Sequence, residues 1–480
     1  MTSPNMTGKQ KGSVDDGEFA AITALEISGF RGFADTSSLQ VASPTGEPGS
    51  GLTIVVGANG AGKSTVLESF HLLQRASSET EFLSSWRNAS AKGRVHIKFT
   101  DASGRISSLG NGPGRGGKVR WHEHEIRRSR DSVFIVPSRR TIYETSFQNH
   151  ETGRGDHIQG YQLGAMRRFQ IQFGGRLTRM HAHHDDVDLI LERVLGVAPN
   201  WEIEPSENGN SCLRIYTGTG AHSIDGLGEG MISLLFIADA LYDSNAGDVI
   251  VLDEPELSLH PPVQRRLAAL LAEYAADRQI IYATHSPYFV DWQSILYGAN
   301  IARVFDQGDG SQIANLKRET VDRVRHLVSD YRNPHILGTD ARELFFLGEN
   351  VILVEGQEDV IGLRRMAEQL HVPIAGEFYG WGVGGAGNMR CVASILRDLA
   401  FRRVAGVLDA DQMALGKRLT EEFPEFVFII SPSEDIRQKP AQPEYPGKAG
   451  LLDEKWAVPA ERESDAISLL TQVNAVFRKP

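Results

Sequence analysis

Only two cysteines, Cys212 and Cys391, occur in the 480-residue chain, far apart and without a metal-binding spacing. That excludes a disulfide framework and a thiolate zinc site, and both read as small buried apolar residues. Long apolar runs are missing too. Stretches such as 249–252 and 351–354 fall far short of the roughly 18 to 20 residues that cross a bilayer, so no membrane partner is expected. The opening MTSPNMTGKQKGSVDDGEF has no apolar signal core and reads as a flexible tail over residues 1–20, which points to a cytoplasmic protein. A basic excess is also lacking. The net charge of −11 argues against a surface coated for indiscriminate nucleic-acid binding, though not against a local groove. Basic residues do gather in 115–130, at Arg139-Arg140 and at Arg167-Arg168, each of which reads first as a solvated face.

At this length one core is too little, and two or three domains are expected. Residues 21–33 alternate as a half-buried strand does, and LTIVV at 52–56 is a β-branched run ending in glycine, suited to a strand buried on both faces. A helix is expected over 64–73. After a mixed stretch, helix, strand and helix recur through 231–242, 249–252 and 262–274, with another strand at 279–283. Residues 306–345 read as a linker. A second strand-to-helix unit starts at Val351, with further strands at 404–408 and 426–430. Both halves are therefore expected to be α/β, an ATPase domain over 21–305 and a smaller domain over 346–480.

The first half carries GANGAGKST. Gly57, Gly62, Lys63 and Ser64 stand in the GxxxxGK[ST] spacing, with Asn59 and Gly60 inside the loop and Thr65 just after it, between a strand and a helix. Glycines let backbone N–H groups curl around phosphates, Lys63 reaches the β- and γ-phosphates of ATP, and the Ser64 hydroxyl can coordinate Mg²⁺. The strand of VIVLDEP ends in Asp253-Glu254, which puts two carboxylates where open α/β sheets bind ligands. Asp253 is expected on Mg²⁺ and Glu254 on the attacking water. The next strand ends in ATHSP, which aims His285 back at the γ-phosphate.

These residues, with ELSLHP at 256–261, resemble the Walker A, Walker B, D-loop and switch histidine of ABC-type ATPases. GLGEGMISLL at 226–235 sits where that family keeps its signature motif, with Gly228-Glu229-Gly230 in place of the usual serine. The resemblance implies that Gly230 contacts ATP held by another subunit, and hence a homodimer or higher homo-oligomer. Lys63 and Asp253 are only 190 residues apart, too few for the long coiled-coil arms of SMC proteins. FIVPSRR at 134–140 is similar to a strand end of compact defence ATPases, where an arginine either faces the nucleotide or is an ordinary surface residue.

The second half ends one apolar strand in Glu355-Gly356, with Asp359 four residues on, and another in Asp409-Ala410-Asp411. Four carboxylates gathered at strand ends would repel one another without a cation, and their hard oxygens suit Mg²⁺ or Mn²⁺. With the glycine-rich turn GWGVGGAGN at 380–388, this resembles the TOPRIM pattern of topoisomerases, primases and OLD (overcoming lysogenization defect) nucleases. ABC ATPase, linker and TOPRIM follow in the order of the OLD family. That likeness implies cleavage of nucleic acid, DNA or RNA, with Glu355 and Asp359 on one metal, Asp409 and Asp411 on a second, and further help from Glu434, Asp435, Lys439 or Lys448. It also implies a role in defence. Two other readings stand beside it: an ATPase sensor or scaffold that controls a second defence protein through a non-cutting TOPRIM domain, and a RecF-like repair ATPase, a family without the second acidic site.

Overall fold

The computed structural model describes residues 20–478 apart from 75–78, 82–85, 92–93, 112–117, 127, 129–131, 139, 141–175, 206–210, 218–219, 224–227, 307, 330–341, 347, 442 and 444–445. Arg139, Arg167-Arg168, part of the basic stretch, the start of the signature-like run and the expected N-terminal tail therefore lie outside the described residues.

Leu52–Val56 is buried at every position and lies inside a six-stranded sheet. The strand order is Ser311–Asn315, Asn300–Asp306, Leu52–Val56, Gln279–Ala283, Val249–Asp253 and Val133–Val136. All neighbours are parallel except the edge strand Ser311–Asn315. Period-two alternation sends successive side chains to opposite faces. Leu52, Ile54, Ile250, Leu252, Ile280 and Tyr282 pack into one cluster with helices Glu229–Asp243 and Pro261–Tyr274. Val55, Val249, Val251, Ile281 and Ala283 pack into another with the antiparallel sheet that holds Ile22–Ser28 and His96–Asp101. Burial on both faces explains why these strands are continuous apolar runs.

The second unit is a four-stranded parallel sheet in the order Glu377–Phe378, Asn350–Leu353, Arg403–Leu408, Val427–Ile430. One face, with Ile352, Val354, Ala405 and Val407, meets helices Gln357–Gln369 and Glu463–Phe477. The other, with Val351, Leu353, Val404 and Leu408, meets helix Met389–Asp398 and is continuous with the helical face of the first unit. Cys391 is buried there; the side chain of Cys212 is outside the described residues.

The stretch expected as a linker is structured through most of its first half. Ser311–Asn315 extends the first sheet, and helix Arg318–Ser329 buries Val321, Val324 and Leu327, one stripe of a helix at three-residue spacing. Arg323 donates to Ser394 Oγ at 2.6 Å, and the Lys317 N–H to Asp398 Oδ2 at 3.1 Å. On the same boundary Arg303 lies over the Phe401 ring at 3.9 Å and donates to the Leu399 carbonyl at 3.2 Å. Three apolar residues on one helical face are enough to dock this part of the stretch.

Candidate active sites

Three neighbouring parallel strands end level with one another, because Asp253 pairs with Ala283 and Ala283 with Val55. Their C-terminal ends deliver the glycine loop, Asp253-Glu254 and His285 to one place. Gly57, Gly60 and Gly62 have φ of 141°, 77° and 113°, and a Cβ on Gly57 would stand 2.0 Å from the Val304 carbonyl oxygen. Only glycine fits there. Asn59 and Gly60 form the exposed crest of the loop, and Thr65 is buried beneath it. The Lys63 ammonium donates to the Gly57 and Ala58 carbonyls at 2.9 and 3.0 Å. Burial pushes its pKa down against the pull of Glu254, Asp253 and Glu256.

Ser64 Oγ donates to Asp253 Oδ2 at 2.9 Å. Burial pushes Asp253 up, opposed by that hydroxyl. His285 Nε2 is 3.8 Å from Glu254 Oε1, and its pKa is lowered by burial and then by the Lys63 charge. The His285 backbone N–H donates to Glu256 Oε1 at 2.6 Å. A hydroxyl beside a carboxylate, and an ammonium turned onto loop carbonyls, are the donor set that a magnesium–triphosphate would engage. The residues fit that group.

Gly230 stands apart from this cluster, in the first turn of helix Glu229–Asp243. A Cβ on it would lie 2.4 Å from the Ser258 carbonyl oxygen, and Ser258 Oγ donates to Glu229 Oε2 at 2.8 Å. Sequence reasoning missed two members of the neighbourhood. Glu256 is a buried carboxylate whose pKa burial raises, against the hydrogen bonds it accepts. Arg140 is not a surface residue: it is 8% exposed and donates to the Pro137, Asp253 and Glu254 carbonyls. The FIVPSRR phrase was its only signal, and spacing could not show where the side chain turns.

In the second unit, Glu355 and Asp409 follow adjacent parallel strands, and the Asp409 N–H donates to Glu355 Oε1 at 3.1 Å. Asp359, in the first turn of its helix, accepts the Gly356 N–H at 2.8 Å. The glycine-rich turn wraps the same strand end. The Gly385 N–H donates to the Glu355 carbonyl at 2.8 Å, and Gly382, at φ 90°, passes so close that a Cβ would lie 2.6 Å from Gly356 Cα. Burial, then the charges of Asp359 and Glu355, push Asp409 up to about 8. Burial pushes Asp359 up to about 6, and Glu355 also rises. Asp411 is drawn the other way by the Lys448 ammonium, which donates to it at 2.8 Å. Of the helper residues, Asp435 is buried and paired with Lys439 at 2.6 Å, whereas Glu434 is exposed.

Crowded oxygen donors with raised pKa values suit a hard divalent ion. They do not yet form a cage: among the described residues no three His, Cys, Asp or Glu are arranged to hold a metal together. Local partners account for this, since Gly356 holds Asp359, the Asp409 N–H holds Glu355 and Lys448 holds Asp411. Among the described residues no helix is long and apolar enough to cross a membrane.

Two family profiles match the first unit: one described as "AAA domain, putative AbiEii toxin, Type IV TA system" over residues 105–291, and one described as "AAA domain" over 24–159. A curated OLD nuclease of Thermus scotoductus is 28% identical over 176 residues, 36% of this chain and 33% of that protein. The chain thus spans about a third of the length of that relative. Solved structures that match part of the chain include an Smc head domain of Pyrococcus furiosus bound to a ScpA domain, at TM-score 0.42 and 13% identity, covering 65% of this chain and 100% of that one. An SMC head domain of Thermotoga maritima matches at TM-score 0.37 and 15% identity, over 62% of this chain and 99% of that one. The chain is accordingly an α/β protein with an AAA-type P-loop ATPase domain, and a homologue of an OLD nuclease over about a third of its length.

Proposed function

We propose that the chain is an ATP-hydrolysing, divalent-metal-dependent nuclease in which an ABC-type ATPase over 21–305 controls a TOPRIM site in 346–480, acting in defence against foreign nucleic acid. In the first site the loop of Gly57, Asn59, Gly60 and Gly62, with Lys63 and Thr65, would bind the ATP phosphates. Ser64 and Asp253 would hold Mg²⁺. Glu254 would orient and polarise the attacking water, with His285 at its side. Gly230 of one chain would reach the ATP held by another, which makes a homodimer or larger homo-oligomer the working form.

In the second site Glu355, Asp359, Asp409 and Asp411 would hold Mg²⁺ or Mn²⁺. Bound there, divalent ions supply charge for the attacking and leaving oxygens of a phosphodiester. The chain's part is to keep these carboxylates at the ends of two adjacent strands and to hold Asp411 on the Lys448 ammonium. The observation that carries the reading is the contact between the Asp409 N–H and Glu355, which puts the two acidic runs side by side in a chain that also carries the ATP site. Purified protein incubated with supercoiled DNA, linear DNA and tRNA, with Mg²⁺ or Mn²⁺ and with or without ATP, should cut at least one substrate only when metal is present.

One observation favours a second reading. Asp411 is paired with the Lys448 ammonium and Asp359 accepts the Gly356 N–H, engagements that suit a sensor or scaffold whose TOPRIM domain binds without cutting and controls a separate effector. Metal-dependent binding of nucleic acid without cleavage would mark that outcome.

A further inference from the structure

Arg140 makes contacts that the nucleotide site alone does not call for. Its Nε donates to the Pro137 carbonyl at 2.7 Å, its Nη2 to the Asp253 and Glu254 carbonyls at 2.6 and 3.1 Å, and its Nη1 to Ser233 Oγ. One guanidinium thus joins the end of strand Val133–Val136, the end of strand Val249–Asp253 and the helix that begins at Glu229. The planar fork allows this by spreading four hydrogen bonds over three nitrogens in fixed directions; an ammonium has only three donors, all on one nitrogen. Burial lowers its pKa to about 10, with Asp253, Glu256 and Glu254 opposing, so it stays charged at neutral pH.

The residue it grips is strained. Glu254 has φ 49°, a left-handed conformation that costs a non-glycine residue free energy and persists only where its surroundings over-determine it. Three hydrogen bonds do so here. The Glu254 N–H donates to the Ala283 carbonyl at 2.9 Å, and its own carbonyl accepts from the Leu257 N–H at 3.2 Å and from Arg140. The first two come from the same sheet and turn. The third alone reaches another element, the helix that carries Gly230 in its first turn and Ser233 one turn on.

We propose that Arg140 is a positioning residue for ATP hydrolysis: it holds the backbone of Glu254 in its strained conformation and ties it to the Glu229–Asp243 helix, so that the carboxylate is aimed only while that helix is in place. This rests on the reading of Glu254 as the group that polarises water. Arg140 acts through backbone carbonyls and not on the nucleotide, so its loss shifts turnover and spares binding.

The test uses the full-length chain and compares Arg140→Met, Arg140→Lys and Ser233→Ala with wild type. Binding of a fluorescent ATP analogue, KM and kcat are read for each, with a thermal melt to report folding. A displacement of about 1 Å at the reacting geometry can cost roughly a hundredfold. The expected result is a kcat loss of that order in Arg140→Met, a smaller loss in Arg140→Lys and the smallest in Ser233→Ala, with analogue affinity within about threefold of wild type. Wild-type kcat in folded Arg140→Met overturns the proposal, as does loss of nucleotide binding in step with turnover. Should Arg140→Met fail to fold, Arg140→Lys and Ser233→Ala decide: wild-type kcat in both overturns it. A wild-type protein that binds ATP without hydrolysing it sinks the underlying ATPase reading, an outcome visible before any variant is compared.

Discussion

The proposed ATP site gives Lys63 and Glu254 different work, and single substitutions separate them. Lys63→Ala removes the phosphate cation and should abolish ATP binding. Glu254→Gln keeps size and hydrogen bonding but loses the charge that polarises water, so ATP should bind and stay intact, with turnover down about 10²- to 10⁴-fold. A filter-binding assay beside phosphate release reads both; wild-type hydrolysis by Glu254→Gln contradicts the assignment. Asp409 gives a pH prediction. Its folded pKa, about 8, lies above its ordinary 3.8, so between those values the unfolded chain has lost a proton that the folded chain keeps. The contribution to stability is full below about pH 4 and falls as pH rises toward 8; Asp359, raised to about 6, acts in the same direction. Asp409→Asn should flatten the fall. In chelator at pH 8.5 its Tm should exceed wild type by roughly a degree or two, and saturating Mg²⁺ should reverse the order by stabilising the wild type. Identical pH dependence in calorimetry contradicts this.

At the level of elements, the buried strands were the most legible part of the sequence. LTIVV and QIIYA are apolar at nearly every position because both faces of their sheet are covered, and the structure ends them at residues 56 and 283, beside the glycine loop and the histidine turn. Ser311–Asn315 and Arg318–Ser329 were not legible, because a short edge strand and a narrow-striped helix carry too few apolar residues to stand out from loop composition. Nor were the ties between elements. Arg176, 2% exposed, donates to Asp239 Oδ1 at 2.6 Å and also pairs with Asp243, one turn further along helix Glu229–Asp243. Nothing in the spacing of residues 176 and 239 predicts this. Removing one partner of a buried ion pair costs about 3–5 kcal/mol, so Asp239→Ala should lower stability by that much in denaturant unfolding, whereas exposed Glu192→Ala in helix His184–Leu195 should change it by less than about 0.5 kcal/mol. Equal effects would deny the network its structural role. The acidic runs of the second site were readable one by one, and Lys448 was named beside them; the contact between the Asp409 N–H and Glu355 was not, since it depends on which strands lie side by side.

On the scale of the whole molecule, the two units share a continuous core and are pinned by Arg303 and Arg323 at their boundary. That shared packing gives the proposed control of one site by the other a physical route, while the residues of the two sites stay on separate sheets. The proposed composite ATP site leads to a mixing experiment. Lys63→Ala chains and Gly230→Glu chains, each inactive alone, should recover part of the ATPase activity when combined, because a mixed dimer holds one site with an intact Lys63 and an intact Gly230. Full ATPase activity in a strictly monomeric protein rules this arrangement out.

The central claim, that the second acidic site cuts nucleic acid under the control of the first, meets its most direct test in the Asp409→Ala/Asp411→Ala double variant. Mg²⁺- or Mn²⁺-dependent cleavage and ATP hydrolysis are measured on the same preparation beside wild type. The account predicts that cleavage disappears while ATP hydrolysis stays within about twofold of wild type, because the altered carboxylates belong to the other sheet; cleavage by the double variant at the wild-type rate would contradict it.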